Sequence, residues 1–223
     1  MPYSPQFGDH FYSRGDGRRE CAHVFIGGNE LQSRFAAGGR LTIAETGFGT
    51  GLNFVETWRQ WKKTARENAQ LDFVSFERYP MPRKAIARAL SAWPEIAAEA
   101  ALLVAQWPET PGDGDIVLSF GAVSLTVFVG VAEERIAAWS GTADAWYLDG
   151  FAPSRNPDMW SAELMSDVAR HTAPDGTFAT YTSAGWVRRN LAAAGFSVEK
   201  RPGFAGKREM CAGWLDDAVR RCE

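Results

Sequence analysis

The stretch Glu45-Thr46-Gly47-Phe48-Gly49-Thr50-Gly51 concentrates residue types that handle a small ligand. Alternating glycines permit a tight turn and let backbone N–H groups approach a bound molecule closely. The dinucleotide pattern G-x-G-x-x-G needs glycine at position 52, and Leu52 stands there. An acidic residue two positions before the first glycine suits an ammonium group and would repel a pyrophosphate. Glu77 closes the run Leu71–Phe76, the place where an open α/β site puts the carboxylate that accepts from ribose hydroxyls. Asp149 follows the apolar run Ala145–Leu148 and precedes Gly150-Phe151-Ala152-Pro153. A carboxylate at the end of a parallel strand faces the crevice where ligands bind.

The spacing G-x-G-x-G with a preceding acid resembles the turn that binds S-adenosylmethionine (SAM), a ligand with an amino acid and a ribose but no pyrophosphate. Methyl transfer from a sulfonium is an in-line displacement, so the protein chiefly positions a neutral nucleophile. An alkyl amine is mostly protonated at neutral pH, by comparison with lysine at about 10.4. Its site needs a carboxylate to hold the amine and accept a proton, directly or through water. Asp149 is the candidate; the competing role is a turn or helix-cap aspartate. Phe151 either stacks on a base and closes the pocket or packs in the core. In Asn156–Trp160, Asp158 reads as a first-turn charge and Trp160 as packing.

Positioning these groups requires alternating strands and helices. Runs 41–45, 71–77, 116–120, 123–129, 143–148 and 177–182 read as strands, with 196–200 and 207–214 closing the chain. Helical stretches fall at 52–67, 84–90, 95–107, 133–139, 161–171 and 184–194. Such alternation implies a mostly parallel sheet with helices on both faces. The turn 201–206 is too short for a crossover, so the last strand runs antiparallel. The expected fold is a Rossmann-like class I SAM-dependent methyltransferase with a seven-stranded sheet. Residues 1–38 show little periodicity and read as an N-terminal extension packed on a domain spanning 39–223.

The 223 residues suit one large α/β domain. No apolar run nears the roughly 20 residues of a membrane span, and Met1–Pro5 carries no secretory pattern, so the expected location is the cytoplasm. Cys21, Cys211 and Cys222 form no C-x-x-C pair and read as reduced thiols. His10, His23 and His171 lack metal-ligand spacing, so no metal is expected. A net charge of −3 offers no global attraction to a polyanion. A nucleic-acid partner would need a local basic face, for which Arg188-Arg189, Lys200-Arg201 and Lys207-Arg208 are available; a solvated surface is the alternative.

The fragments 45–54 (ETGFGTGLNF), 144–160 (DAWYLDGFAPSRNPDMW) and 203–210 (GFAGKREM) together resemble the methyltransferase part of the bacterial bifunctional tRNA wobble-uridine enzymes, the MnmC family. Further matching pieces are VFIGGNEL at 24–31, Arg34-Phe35, Ser75-Phe76-Glu77 and Val187-Arg188-Arg189, so the resemblance spans nearly the whole chain. It implies SAM-dependent conversion of 5-aminomethyl-2-thiouridine to 5-methylaminomethyl-2-thiouridine in tRNA. It places Glu45, Gly47, Phe48, Gly49, Gly51, Asn53, Glu77 and Asp149 at the cofactor, and Asp149 with Phe151 at the chemistry. Phe151, Pro153, Lys207 and Arg208 fall at the substrate. The family's second, FAD-dependent oxidase domain has no counterpart before Glu223, which implies substrate already bearing the free aminomethyl group, with a separate oxidase as a partner. Where the family has Gly-Asp after the third strand, this chain reads Gly130-Val131; the aspartate's contact to the adenine amino group is thereby missing. The rival readings are a methyltransferase of small-molecule amines, favoured by the acidic charge, and a catalytically weakened tRNA-binding accessory protein, favoured by Val131.

Overall fold

The computed structural model describes residues 3–4, 8–10 and 16–216. Cys222 lies outside them, as does much of the segment before Asp16. A short antiparallel ladder joins β1 (Tyr3–Ser4) and β2 (Asp9–His10). Then come α1 (Gly17–Cys21), a π-helical turn (Ala22–Gly27) and α2 (Leu31–Ala37). The main sheet begins with β3 (Arg40–Thr46), followed by α3 (Leu52–Thr64), β4 (Gln70–Glu77), α4 (Arg83–Leu90) and α5 (Ala97–Gln106). A hairpin, β5 (Ile116–Ser119) and β6 (Val123–Val129), leads to α6 (Ala132–Ala137) and β7 (Ala143–Tyr147). The chain continues through α7 (Ala162–Arg170), β8 (Thr172–Thr180), α8 (Gly185–Ala193), β9 (Phe196–Pro202) and β10 (Glu209–Leu215).

The strand order is β5-β6-β4-β3-β7-β8-β10-β9. The five strands from β6 to β8 are mutually parallel, and β10 inserts antiparallel between β8 and β9. The sheet has eight strands against the seven expected. Both arms of the 116–129 hairpin join it, and β5 forms an extra antiparallel edge. Boundaries shift as well. The helix expected to reach 67 ends at Thr64, where Ala65 turns extended. The strand expected at 177 starts at Thr172 and carries a register irregularity opposite β7.

Burial on both faces explains why the central strands read as continuous apolar runs. Alternate residues serve two separate cores, as the period-two pleat demands. Ile43, Phe73, Ala145 and Tyr147 face one cluster with Phe54, Trp58 and Leu103; Ala44, Val74, Trp146 and Leu148 face the other with Leu164, Val168 and Leu191. The segment 16–37 belongs to the first core, through Val24, Phe25, Ile26, Leu31 and Phe35. Phe25 stacks on Tyr147 with centroids 5.0 Å apart, and the Asn29 side chain donates to the Trp146 carbonyl at 3.2 Å. No helix among the described residues is long and apolar enough to cross a membrane.

Phe54 sits at the centre of an aromatic group, 5.3 Å from Phe73 and 5.7 Å from Trp58, with no exposed surface. Phe54→Ala should cost about 3–5 kcal/mol through lost burial and the cavity left behind. Urea unfolding followed by tryptophan fluorescence measures this, and a loss below 1 kcal/mol would mean the helix is not anchored there.

Candidate active site

The carboxyl ends of β3, β4 and β7 lie side by side, because those strands are parallel neighbours in register. They deliver Glu45, Glu77 and the residues leading to Asp149 to one edge of the sheet. Between β3 and α3 the glycine turn adopts left-handed backbone, with φ of 90° at Gly47, 55° at Gly49 and 76° at Gly51. Gly51 has a second reason to be glycine. A Cβ there would lie 2.9 Å from Phe48 Cζ and 3.2 Å from Leu103 Cδ2. A Cβ at Gly47 would meet nothing within 4 Å, so open space lies over the turn.

Hydrogen bonds hold the three acids in place. The Asn53 amide donates to Glu45 Oε1 and to Asp149 Oδ2, each at 2.8 Å. Ser75 Oγ donates to Glu45 Oε2 at 2.9 Å. The Gly150 backbone N–H donates to Asp149 Oδ1 at 2.7 Å, and Thr46 Oγ1 fixes the Asp149 carbonyl at 2.7 Å. Glu77 accepts from the backbone N–H of Gly49 at 3.0 Å and of Tyr79 at 2.7 Å. Burial pushes the Glu45 carboxyl well above the usual range, and the charge of Asp149 adds to it against the Asn53 and Ser75 bonds. Burial likewise raises Asp149 to about 6, opposed by the Gly150 N–H and the Asn53 amide; Glu20 raises it further and Lys207 lowers it.

The expected site residues therefore separate by position. Asp149 and Glu77 are half-buried at the crevice. Glu45 is fully buried, with one oxygen accepting from Asn53 and the other from Ser75. Asn53 spends its amide hydrogens on the two acids. Phe48 turns its ring into the core, stacked on Trp107 at 4.8 Å, leaving only its backbone in the turn. Phe151 is half-buried and its carbonyl accepts from the Trp160 indole at 3.1 Å; Pro153 is buried. Lys207 reaches Glu20 at 2.9 Å and lies over the Tyr181 ring, 4.2 Å from its centroid. Tyr181 in turn donates to the Gly150 carbonyl at 2.8 Å. Arg208 is exposed, and its carbonyl closes the β9–β10 turn by accepting from Gly203.

Arg188 and Arg208 gather with Lys200 around Glu209, whose carboxyl they hold below its ordinary value, Lys200 foremost at 2.9 Å. Arg201 is tied to Glu199 and Glu30. Cys21 and Cys211 are buried free thiols. Ser75, Tyr181 and Glu20 complete the site without having been expected there. Ser75 carried a signal, a small polar residue amid Phe73-Val74 and Phe76; Tyr181 lies just past a strand end beside Asp149; Glu20 lay in a segment with no periodicity to place it.

The family model for S-adenosyl-L-methionine-dependent methyltransferases matches residues 94–216, more than half of the chain. The chain belongs to this family. The methyltransferase is 48% identical over 215 residues to the tRNA 5-methylaminomethyl-2-thiouridine biosynthesis bifunctional protein MnmC of Chromohalobacter salexigens, covering 95% of this chain and 31% of that protein. It is 47% identical to the protein of that name from Chromobacterium violaceum, covering 96% of this chain and 33% of that protein. The methyltransferase thus spans about a third of the length of these relatives. Among solved structures, MnmC2 from Aquifex aeolicus shares the fold with a TM-score of 0.77 and 22% identity, over 94% of this chain and 65% of that one.

Asp149 is tighter to its proton in the folded chain than in the unfolded one, whose reference value is 3.8. Its ionisation therefore subtracts stability as pH rises between about 4 and 6, and the whole penalty stands above that window. A shift of this size corresponds to at most about 3 kcal/mol, and less with partial solvent screening. Asp149→Asn should raise the melting temperature at pH 7.5 and lose that advantage at pH 4. Equal melting temperatures at pH 7.5 would show that the carboxylate is not strained by its surroundings.

Proposed function

We propose that this methyltransferase transfers a methyl group from SAM to the aminomethyl nitrogen of 5-aminomethyl-2-thiouridine at the tRNA wobble position. The observation that carries the reading is the identity of 45–48% across nearly the whole chain to proteins named for biosynthesis of the methylated product, 5-methylaminomethyl-2-thiouridine. The site chemistry supports it independently. Carboxylates around a glycine turn with open space above Gly47 fit a ligand that is cationic at the sulfonium and carries an ammonium and a ribose. They would repel a pyrophosphate.

Bound there, SAM supplies an electrophilic methyl group. The chain's own residues do the rest. Glu77 offers acceptor capacity for ribose hydroxyls from the end of β4, and the Gly47–Gly51 backbone lines the approach. Phe48 contributes backbone only. Glu45 acts from behind, bonded to the same Asn53 amide that positions Asp149. Asp149 holds the substrate amine and takes its proton at a carboxylate oxygen, leaving the nitrogen lone pair free. A carboxyl near 6 is ionised at neutral pH and is a stronger base than an ordinary aspartate. Phe151 and Pro153, on the turn after Asp149, border the base, and Lys207 with Arg208 face the RNA from the β9–β10 turn. A separate FAD-dependent oxidase supplying the aminomethyl group is the partner this reading calls for. The cytoplasm is the compartment in which its substrate is found.

The net charge of −3 favours a second reading, a small-molecule amine as substrate. Mass spectrometry of tRNA nucleosides after incubation with enzyme and SAM separates the two. One added methyl on the aminomethyl nucleoside within tRNA is expected. In the same assay Asp149→Ala should lose at least about 100-fold in rate, and wild-type kcat/KM should fall as pH drops through about 6. Full activity of the variant would remove Asp149 from the mechanism. Absence of methylation on tRNA would remove the reading.

A further inference from the structure

The pairing of β3 with β7 ends at Glu45 and Tyr147, so the backbone of Asp149 lies past the last rung between those strands. There the connection passes to a side chain. Thr46, the final residue of β3, is buried and directs its hydroxyl at the Asp149 carbonyl, 2.7 Å away. The Tyr147 carbonyl stands farther off at 3.5 Å, so the single hydroxyl hydrogen goes to Asp149. The receiving carbonyl belongs to the peptide that joins Asp149 to Gly150. That peptide is trans, which points its N–H away from its C=O. With the carbonyl held on β3, the N–H faces the other way and donates to Asp149 Oδ1 at 2.7 Å. Gly150, with φ of 136°, makes the turn that follows. One bond from Thr46 thereby sets the plane of a peptide, and the peptide sets the carboxylate.

We propose that Thr46 is a positioning residue for methyl transfer: its hydroxyl fixes the 149–150 peptide so that the Gly150 N–H holds the Asp149 carboxylate in the orientation that meets the substrate amine. The inference rests on the role given to Asp149 above. Threonine suits the task. Its β-branched side chain is stiff about χ1, so the hydroxyl is aimed before any ligand arrives. The bond it secures also has an electrostatic consequence. The Gly150 N–H is the foremost group favouring the ionised form of Asp149 against its burial, ahead of the Asn53 amide. Glu45 on β3, Glu20 and Cys21 on α1 and Lys207 on the β9–β10 turn are the ionisable groups around that carboxylate, and Glu77 on β4 bears on Glu45. Thr46 carries no charge, so replacing it leaves those groups in place and isolates the bond.

The test compares wild type with Thr46→Val, which removes the hydroxyl at nearly equal volume, and Thr46→Ser, which keeps it. The Asp149 carboxyl carbon is titrated by NMR in each protein. In parallel, kcat/KM on tRNA bearing 5-aminomethyl-2-thiouridine is followed across the acid limb at saturating SAM. In Thr46→Val the carboxyl should titrate about one pH unit higher, and the acid limb should move up with it, because a bond to the charged form is loosened. Thr46→Ser should return both to wild type. In an Asp149→Asn background, Thr46→Val should change the residual kcat/KM by less than about twofold, since a residue acting through Asp149 has nothing left to act on. Should valine prevent folding, Thr46→Cys, a weak donor close to serine in shape, takes its place in every arm. An unmoved titration without the hydroxyl, or an equal loss of rate in the Asp149→Asn background, would overturn the inference and leave the proposed function standing. Wild type inactive on tRNA, with the titration moved as expected, would remove the proposed function and leave the hold of Thr46 on Asp149 standing.

Discussion

The structure must keep three carboxylates, Glu45, Glu77 and Asp149, together at one edge of a parallel sheet. Like charges repel, and burial makes Glu45 and Asp149 costlier to ionise. The fold meets this with donors aimed from both sides: the Asn53 amide between two of the acids, Ser75 on Glu45, and backbone N–H groups of Gly49, Tyr79 and Gly150 on the others. Glu45 and Asp149 are coupled through one side chain, and the charge of Asp149 adds to the burial that raises the Glu45 carboxyl. A cationic ligand beside them reverses that balance. Raised carboxyls of this kind cost stability where they ionise, the usual trade between stability and function.

Topology makes the convergence possible. With β4, β3 and β7 adjacent and parallel, their last residues share one edge, and the helix-opening turns that follow are brought to the same place. The order of strands also puts β8 next to β7, so that Tyr181, just past the end of β8, meets the Gly150 turn. From the other side, α1 brings Glu20 under the β9–β10 turn and links the earliest described helix to the latest loop. The site is therefore assembled from both ends of the chain, and residues 16–37 belong to its core as much as to its edge.

What could be read in the sequence follows from which interactions leave a local trace. Buried parallel strands leave apolar runs, the glycine turn leaves its spacing, and a carboxylate after Leu148 declares itself by contrast, so the sheet, the turn and Asp149 were legible. The accessibility of Glu45 was not. It depends on Ser75 lying opposite in register and on Asn53 pointing back from the first turn of α3, and neither pairing is written in local spacing. The ring of Phe48 lies within the glycine turn in sequence, but Trp107, some sixty positions on, claims it. The eighth strand was visible as a run yet not as a partner, since an edge position is decided by what the sheet leaves uncovered. Glu20 left no trace in a segment without periodicity.

Calorimetric titration of SAM into wild type and Glu77→Ala is the most direct test that this edge of the sheet is the donor's site. Wild type should bind one equivalent, and the variant should bind at least about tenfold more weakly, the worth of hydrogen bonds to a charged acceptor. Equal affinity in the two proteins, or no binding by wild type, would contradict the placement of the donor at these strand ends.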